Sequence, residues 1–283
     1  MVSSSAEYDN TNEQVILREA QLVMLNMLRE LDKICVKNDI KYWLDGGTLL
    51  GAVRHEGFIP WDDDIDIGML RADYNKFLIL AVKELPKNIF VQTKDSDIGF
   101  INLISPVKLR DDNSLILEGF EDGKEPYQQG LFVDIFPYDY LPTTKIKRTL
   151  YKYLGKKISK FQRYKIEKHR AHSSTLIYTV LDYFVSMKYL DTVLEKLIVK
   201  TNKENNIIIG FGLESTLKRV YEVKSFFPLK KIKFENSTFL SPMDHDYYLS
   251  ETYGEYLQWP PLEDQIPKHT KVLIPDLKVH NEK

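Results

Sequence analysis

Apolar and polar positions change their period several times along this chain of 283 residues. From Asn12 to Lys37 apolar side chains recur at helical spacing (Leu17, Met24, Leu28, Leu31, Cys35), which predicts a long amphipathic helix laid over one face of a sheet. Residues 1–11, polar and Ser-rich near their start, read as a flexible tail. Lys41–Asp45 reads as a short strand, Thr48–His55 as the first turns of a helix, and Ile59–Gly68 as an acidic strand. A helix over Asp73–Leu85 stops before Pro86. Extended segments follow at Ile89–Thr93, Ile101–Arg110, Ser114–Glu118 and Leu131–Phe136, the last two separated by a loop rich in Gly, Pro and acids. Lys145–Arg170 carries a helical stripe of Leu150, Leu154, Ile158 and Phe161, and two more helices follow near Ser174–Tyr189 and Asp191–Asn205. Ile207–Leu213 returns to strand, and the proline-broken remainder reads as an ordered, wrapped tail. The pattern predicts an α+β protein: a mixed β-sheet core flanked by helices over 12–144, a helical insert over 145–206, and a segment over 207–283 that packs back on the core.

Composition narrows this only a little. The chain is 43% hydrophobic and 28% charged, with a formal net charge of −2, so no global attraction to nucleic acid is expected. The single cysteine, Cys35, excludes an intrachain disulfide framework and a cysteine-rich zinc site, and a reducing cytoplasm is the expected compartment. Cys35 lies on the apolar stripe and reads as a small buried hydrophobe. No signal-peptide pattern and no membrane-spanning run is seen. Charge does separate locally: residues 145–170 hold eleven Lys and Arg and one acid, Glu167. That stretch is either a solvated face of a core-packed helix or a surface for anionic lipid or a polyanionic glycan at the inner face of the membrane.

The candidate chemistry sits in LDGGTLLGAVRHEGFIPWDDDIDIG, residues 44–68. A strand, a Gly46-Gly47-Thr48 turn and a helix N-terminus can cradle a phosphate, because free backbone N–H groups and the positive end of the helix face the anion. Asp64 and Asp66 are two apart in an extended segment, so they share one face, with Ile65 and Ile67 behind them. Two adjacent carboxylates repel unless a cation lies between them, and hard oxygens beside a phosphate site suit Mg²⁺ or Mn²⁺; the alternative is an acidic surface turn. Asp134, between Phe132 and Phe136 in LFVDIF, also needs a partner, either the shared metal or an ion pair with Arg or Lys. Lys108 and Arg110 face one side of a strand, either to neutralise phosphate or to keep a sheet edge soluble. Arg54 is a further candidate phosphate ligand. His55 reads as polar surface and His269 as structural.

With those residues in view, the chain resembles the LicD family, which includes fukutin and fukutin-related protein. The core block above carries the resemblance, and VKLRDDNS, FVDIFPYD, FENSTF and YGEYLQWPP follow in the family's order. The resemblance implies a nucleotidyltransferase-like fold and a phosphotransferase that takes a phospho-alcohol from a CDP donor. Phosphocholine is the leading cargo, ribitol or glycerol phosphate the alternatives, and the acceptor is a sugar hydroxyl of a cell-surface glycan or its lipid-linked precursor. It implies a Mg²⁺ site on Asp64, Asp66 and Asp134, with Asp62 in support, and a phosphate-cradling turn at Gly46, Gly47 and Thr48; Arg54, Lys108 and Arg110, read from their positions, complete the expected donor-binding set. A nucleotidyltransferase that releases pyrophosphate is the rival activity. A glycosyltransferase built on the acidic pair would want a nucleotide-sugar domain before it, where this chain has mostly one helix. A choline head group would want an aromatic cage, for which Tyr127, Tyr138, Tyr140 and Trp259 are candidates that the sequence does not arrange.

Overall fold

A computed structural model describes residues 4–117, 121, 123–168, 176–203, 207–267 and 271–273. The first helix, α1 (Ser4–Lys37), begins earlier than the expected Asn12, so residues 4–11 continue the helix instead of forming a tail. It turns over at Asn38 and Asp39, whose φ is +49°, into β1 (Trp43–Leu44). Then come α2 (Gly46–His55), β2 (Asp66–Leu70), α3 (Arg71–Glu84), β3 (Ile89–Gln92), β4 (Val107–Asp111), β5 (Leu115–Leu117) and β6 (Phe132–Leu141). After α4 (Lys145–Glu167), α5 (Leu176–Phe184) and α6 (Met187–Asn202), the chain returns to β7 (Ile208–Phe211) and β8 (Val220–Glu222). It ends in the short α7 (Val223–Phe226), β9 (Lys230–Phe234), β10 (Ser237–Ser241), α8 (His245–Tyr253) and β11 (Lys271–Leu273). His269 lies outside the described residues.

β6 is the axis of the main sheet. One edge pairs in parallel with β2, which in turn pairs with β1. The other edge pairs antiparallel first with β4, through Phe132–Ile135, and then with β7, through Tyr138–Leu141. β3 extends the sheet beyond β4, and β8 beyond β7. The strand expected over 101–110 is confined to Val107–Asp111, and the segment before it holds Pro106, which cannot donate to a ladder. β5 leaves the main sheet and pairs with β11. α1 and α3 pack together against the sheet, burying Met24, Leu28, Leu31, Phe77 and Ala81 with Leu109 and Ile135 in one continuous core. Cys35 is buried and its thiol is pushed up, first by burial and then by Asp32 and Asp73.

α4, α5 and α6 are inserted between β6 and β7 and have a small core of their own around Leu141, Tyr151, Leu194 and Leu213. The expected stripe of α4 holds at Ile158 and Phe161 and is rotated in its N-terminal half. The helix buries Tyr151, Gly155, Ser159, Phe161 and Gln162, while Leu150 is 51% and Leu154 39% exposed. The cause is close approach: a Cβ on Gly155 would lie 2.3 Å from the Leu213 carbonyl oxygen. The small side chains therefore face inward and the leucines turn out.

The far end of β6 is tied to its surroundings by charge. Asp139, fully buried, takes a two-pronged pair from Arg71 of α3 at 2.8 and 3.0 Å. It also accepts from Asn202 of α6 and the Leu213 amide, and Arg71 donates to Glu214 as well. Burial alone would raise Asp139, but Arg71 outweighs it and holds the carboxyl below its ordinary value. The C-terminal part returns to the core. Glu235, at the turn of the β9–β10 hairpin, pairs with Arg18 of α1 at 2.6 Å and accepts from the Phe58 amide.

Candidate active site

The site forms where α2 starts and β2 and β6 run side by side. Asp45 caps α2, its side chain accepting from the Gly46 amide at 3.1 Å. Asp45 is buried, and its carboxylate also accepts from the hydroxyls of Tyr138 and Tyr248. Burial pushes it up to about 6, against the opposing effect of those hydroxyls and the amide. The Thr48 hydroxyl accepts from the Asp66 amide at 2.8 Å, and the Asp45 amide donates to the Asp66 carbonyl at 2.9 Å. These bonds lock α2 to the first residue of β2.

Asp66 and Asp134 are register partners on the parallel strands β2 and β6, so their Cα atoms are about 5 Å apart. The alternation expected from Asp64 to Ile67 is present: Ile65 and Ile67 are fully buried, while Asp64 and Asp66 are half-buried. Asp64 itself stands just before the strand, in the segment whose Ile65 carbonyl accepts from the Asp134 amide. Burial, then the charges of Asp64, Asp134, Asp45 and Asp62, push the Asp66 carboxyl well above its ordinary value. Among the described residues, the acids whose oxygens all lie within 4.8 Å of one another are Asp62, Asp63 and Asp64, which gives Asp62 a more direct position than the sequence suggested. Gln21 of α1 holds this acidic loop through the Asp62 carbonyl at 2.9 Å.

Glycine is required at the turn. Gly46 has φ +49°, and a Cβ there would lie 2.4 Å from Asp66 Oδ2; at Gly47 a Cβ would lie 3.1 Å from Asp62 Oδ2. The glycine pair thus keeps two carboxylate oxygens clear. The Gly46 amide donates to Asp45 and to the Tyr248 hydroxyl, so it serves the cap.

The basic residues expected to hold phosphate are drawn into other work. Lys108 stands opposite Asp134 on β4 and pairs with it at 2.8 Å, above the Phe132 ring. This answers the need of Asp134 for a cation from within the protein. Arg110 is buried and donates to Gln92 and the Gly130 carbonyl. Arg54 donates to the carbonyls of Tyr256 and Gln258 at 3.1 and 3.2 Å, anchoring the segment after α8. His55 packs edge-on against Trp259 and Trp61.

Hard oxygen donors gathered around a carboxyl that resists ionisation fit a divalent cation better than they fit one another. Asp62, Asp63 and Asp64, with Asp66 beside them, are the residues that could hold it; the expected trio of Asp64, Asp66 and Asp134 does not form such a group among the described residues, and Asp134 takes its cation from Lys108. Asp45 carries a sequence signal of its own, since an Asp before a helical Gly-Gly is a helix-capping residue. Its partners Tyr138 and Tyr248 carry no local signal.

A family model described as the LicD/FKTN/FKRP nucleotidyltransferase domain matches residues 39–177. The lipopolysaccharide cholinephosphotransferase LicD of Haemophilus influenzae is 33% identical over 263 residues, covering 90% of this chain and 97% of that protein. The human ribitol 5-phosphate transferase FKRP is 56% identical over 34 residues, covering 12% of this chain and 7% of its own length. Human ribitol-5-phosphate transferase FKTN is 35% identical over 91 residues, which is 31% of this chain and 19% of its own.

Proposed function

The chain belongs to the LicD/FKTN/FKRP family, and on that footing we propose that it is a metal-dependent phosphotransferase. It moves a phospho-alcohol, phosphocholine first among them, from a CDP-activated donor to a hydroxyl of a cell-surface glycan or its lipid-linked precursor, releasing CMP. Transfer of an alcohol phosphate is the activity common to the named relatives, and the relative matched over nearly its whole length is a cholinephosphotransferase. One observation carries the reading: Asp66 and Asp134 in register on parallel strands, flanked by Asp62 and Asp64 and faced by a glycine pair. We read the sheet around them as a nucleotidyltransferase-like core.

Asp64, Asp66 and Asp134, with Asp62 beside them, would hold Mg²⁺ or Mn²⁺, which when bound neutralises charge on the diphosphate oxygens. The chain's own part is placement. The glycine pair admits the diphosphate close to α2, and the acceptor hydroxyl attacks the distal phosphorus in line as the bond to CMP breaks. Asp134, which Lys108 keeps in position, has one of two roles: it holds the cation or, where it does not, its carboxylate takes the hydroxyl proton. Lys108 is committed to Asp134 and Arg110 to Gln92 and the Gly130 carbonyl, so neither is assigned to the phosphate.

A screen of CDP-choline, CDP-ribitol, CDP-glycerol and CDP-ethanolamine with Mg²⁺, scored for CMP, tests the reading. CMP from at least one donor is expected, and Asp66→Asn should abolish it without lowering the melting temperature. Pyrophosphate released from CTP and an alcohol, with no CMP from any donor, would replace this reading by the nucleotidyltransferase one. We assign no nucleic-acid partner. We place the work on the cytoplasmic side, where basic α4, with Ile146, Leu150 and Leu154 exposed, would touch an anionic membrane surface. No helix among the described residues is long and apolar enough to cross a membrane.

A further inference from the structure

We propose that the cleft walled by Trp61, Trp259 and Tyr256 is the subsite for the alcohol end of the donor, and that it selects a quaternary-ammonium head group. The inference rests on the phosphotransferase reading and adds the class of alcohol.

The cleft has a volume of about 610 Å³ and opens at the candidate active site itself, since Gly47 and Asp62 line it together with these aromatics. A donor whose diphosphate lies against the glycine pair therefore has its head group within reach of this wall. The two indoles meet at 5.7 Å between centroids and 60° between planes, a tilted corner instead of a stack. His55 packs edge-on to Trp259 at 5.1 Å and stiffens that corner. Burial, then Arg54, lowers the His55 pKa, so the imidazole stays neutral and adds no repelling charge. Trp259 is 56% exposed; an indole left this open beside a site contributes little to a core.

The charge of the lining points the same way. Three carboxylates, Asp62, Glu255 and Asp264, face one guanidinium, Arg54. Arg54 lies 5.8 Å from the centroid of the Trp259 ring, with two of its hydrogen bonds fixed on backbone carbonyls. With Asp62 given to the cation, Glu255 and Asp264 still outnumber Arg54, and the lining keeps one net negative charge. Aromatic faces with acids around them attract a trimethylammonium group, which has no hydrogen bonds to lose on leaving water. A polyol phosphate could hydrogen-bond the acids at the rim but would have to desolvate the hydroxyls that lie against the indole faces and the ring of Pro260.

Tryptophan emission gives a readout independent of turnover. The chain has three tryptophans, and Trp43 is fully buried, so ligand-dependent changes report the corner. Phosphocholine should change the emission saturably, and ribitol 5-phosphate should bind at least about tenfold more weakly, the scale of one cation–π contact. In Trp259→Leu the ratio of kcat/KM for CDP-choline over CDP-ribitol should fall about tenfold, chiefly through KM, while Trp259→Phe restores most of it and both melt like the wild type; Trp61, which packs against the core, is read through Trp61→Phe instead. An unchanged ratio, or an emission spectrum indifferent to phosphocholine in an enzyme that releases CMP, overturns the subsite alone. Saturable phosphocholine binding without CMP from any donor leaves the subsite standing and removes the phosphotransferase reading.

Discussion

Asp45 shows how much of the site rests on one side chain. It caps α2, joins Tyr138 of β6 to Tyr248 of α8, and adds its charge to the field at Asp66. Its carboxyl is pushed up to about 6 from an ordinary 3.8, so the folded state holds that proton more tightly than the unfolded one. The stability it contributes is then complete below about pH 4 and disappears as pH rises through about 6. In chelator-treated protein, wild type should lose about 3 kcal/mol relative to Asp45→Asn between those limits, as read from urea unfolding at each pH. A difference that does not vary with pH would show that Asp45 is ionised throughout. The shared face of Asp64 and Asp66, with Ile65 and Ile67 buried behind them, was legible in the sequence because strand alternation is a local rule. The tyrosines were not, since they lie 93 and 203 positions away from Asp45 and nothing local marks a tyrosine as a carboxylate's partner.

At the level of elements, β6 joins the candidate site to the inserted helices. Asp134 stands near its start and Asp139 near its end, where Arg71, Asn202 and the Leu213 amide converge. Asp139→Ala leaves a buried guanidinium with Glu214 as its remaining acid. It should cost about 3–5 kcal/mol in chemical unfolding, more than Asp139→Asn, which keeps an acceptor for Arg71. A loss below about 1 kcal/mol would mean that water replaces the pair. The long helices and most strands could be read from periodicity, but their pairing could not: β5 joins β11 across more than 150 residues of chain. The α4 stripe was misread for a related reason. A pattern of apolar residues gives weight to leucine and none to Gly155 or Ser159, yet in a crowded contact the small side chain decides which face turns inward.

Across the whole molecule, the rotation of α4 puts apolar side chains among lysines on the outside. The assignment of this face to an anionic membrane predicts that the protein sediments with vesicles containing phosphatidylglycerol at low salt and is released at about 1 M salt, where the Debye length falls to about 3 Å. Leu150→Glu with Leu154→Glu should abolish sedimentation without altering CMP release from the donor when a soluble acceptor is supplied. Failure to sediment at low salt would return the helix to a plain solvated face. The wall of the cleft beyond α8 raises a different matter. Arg54 grips it by two main-chain oxygens, so the latch takes no notice of which side chains that stretch displays. If the proposed head-group subsite holds, substitutions in that stretch can change which alcohol is preferred while its anchor and the acids behind it stay as they are, as a lock is rekeyed without moving the bolt.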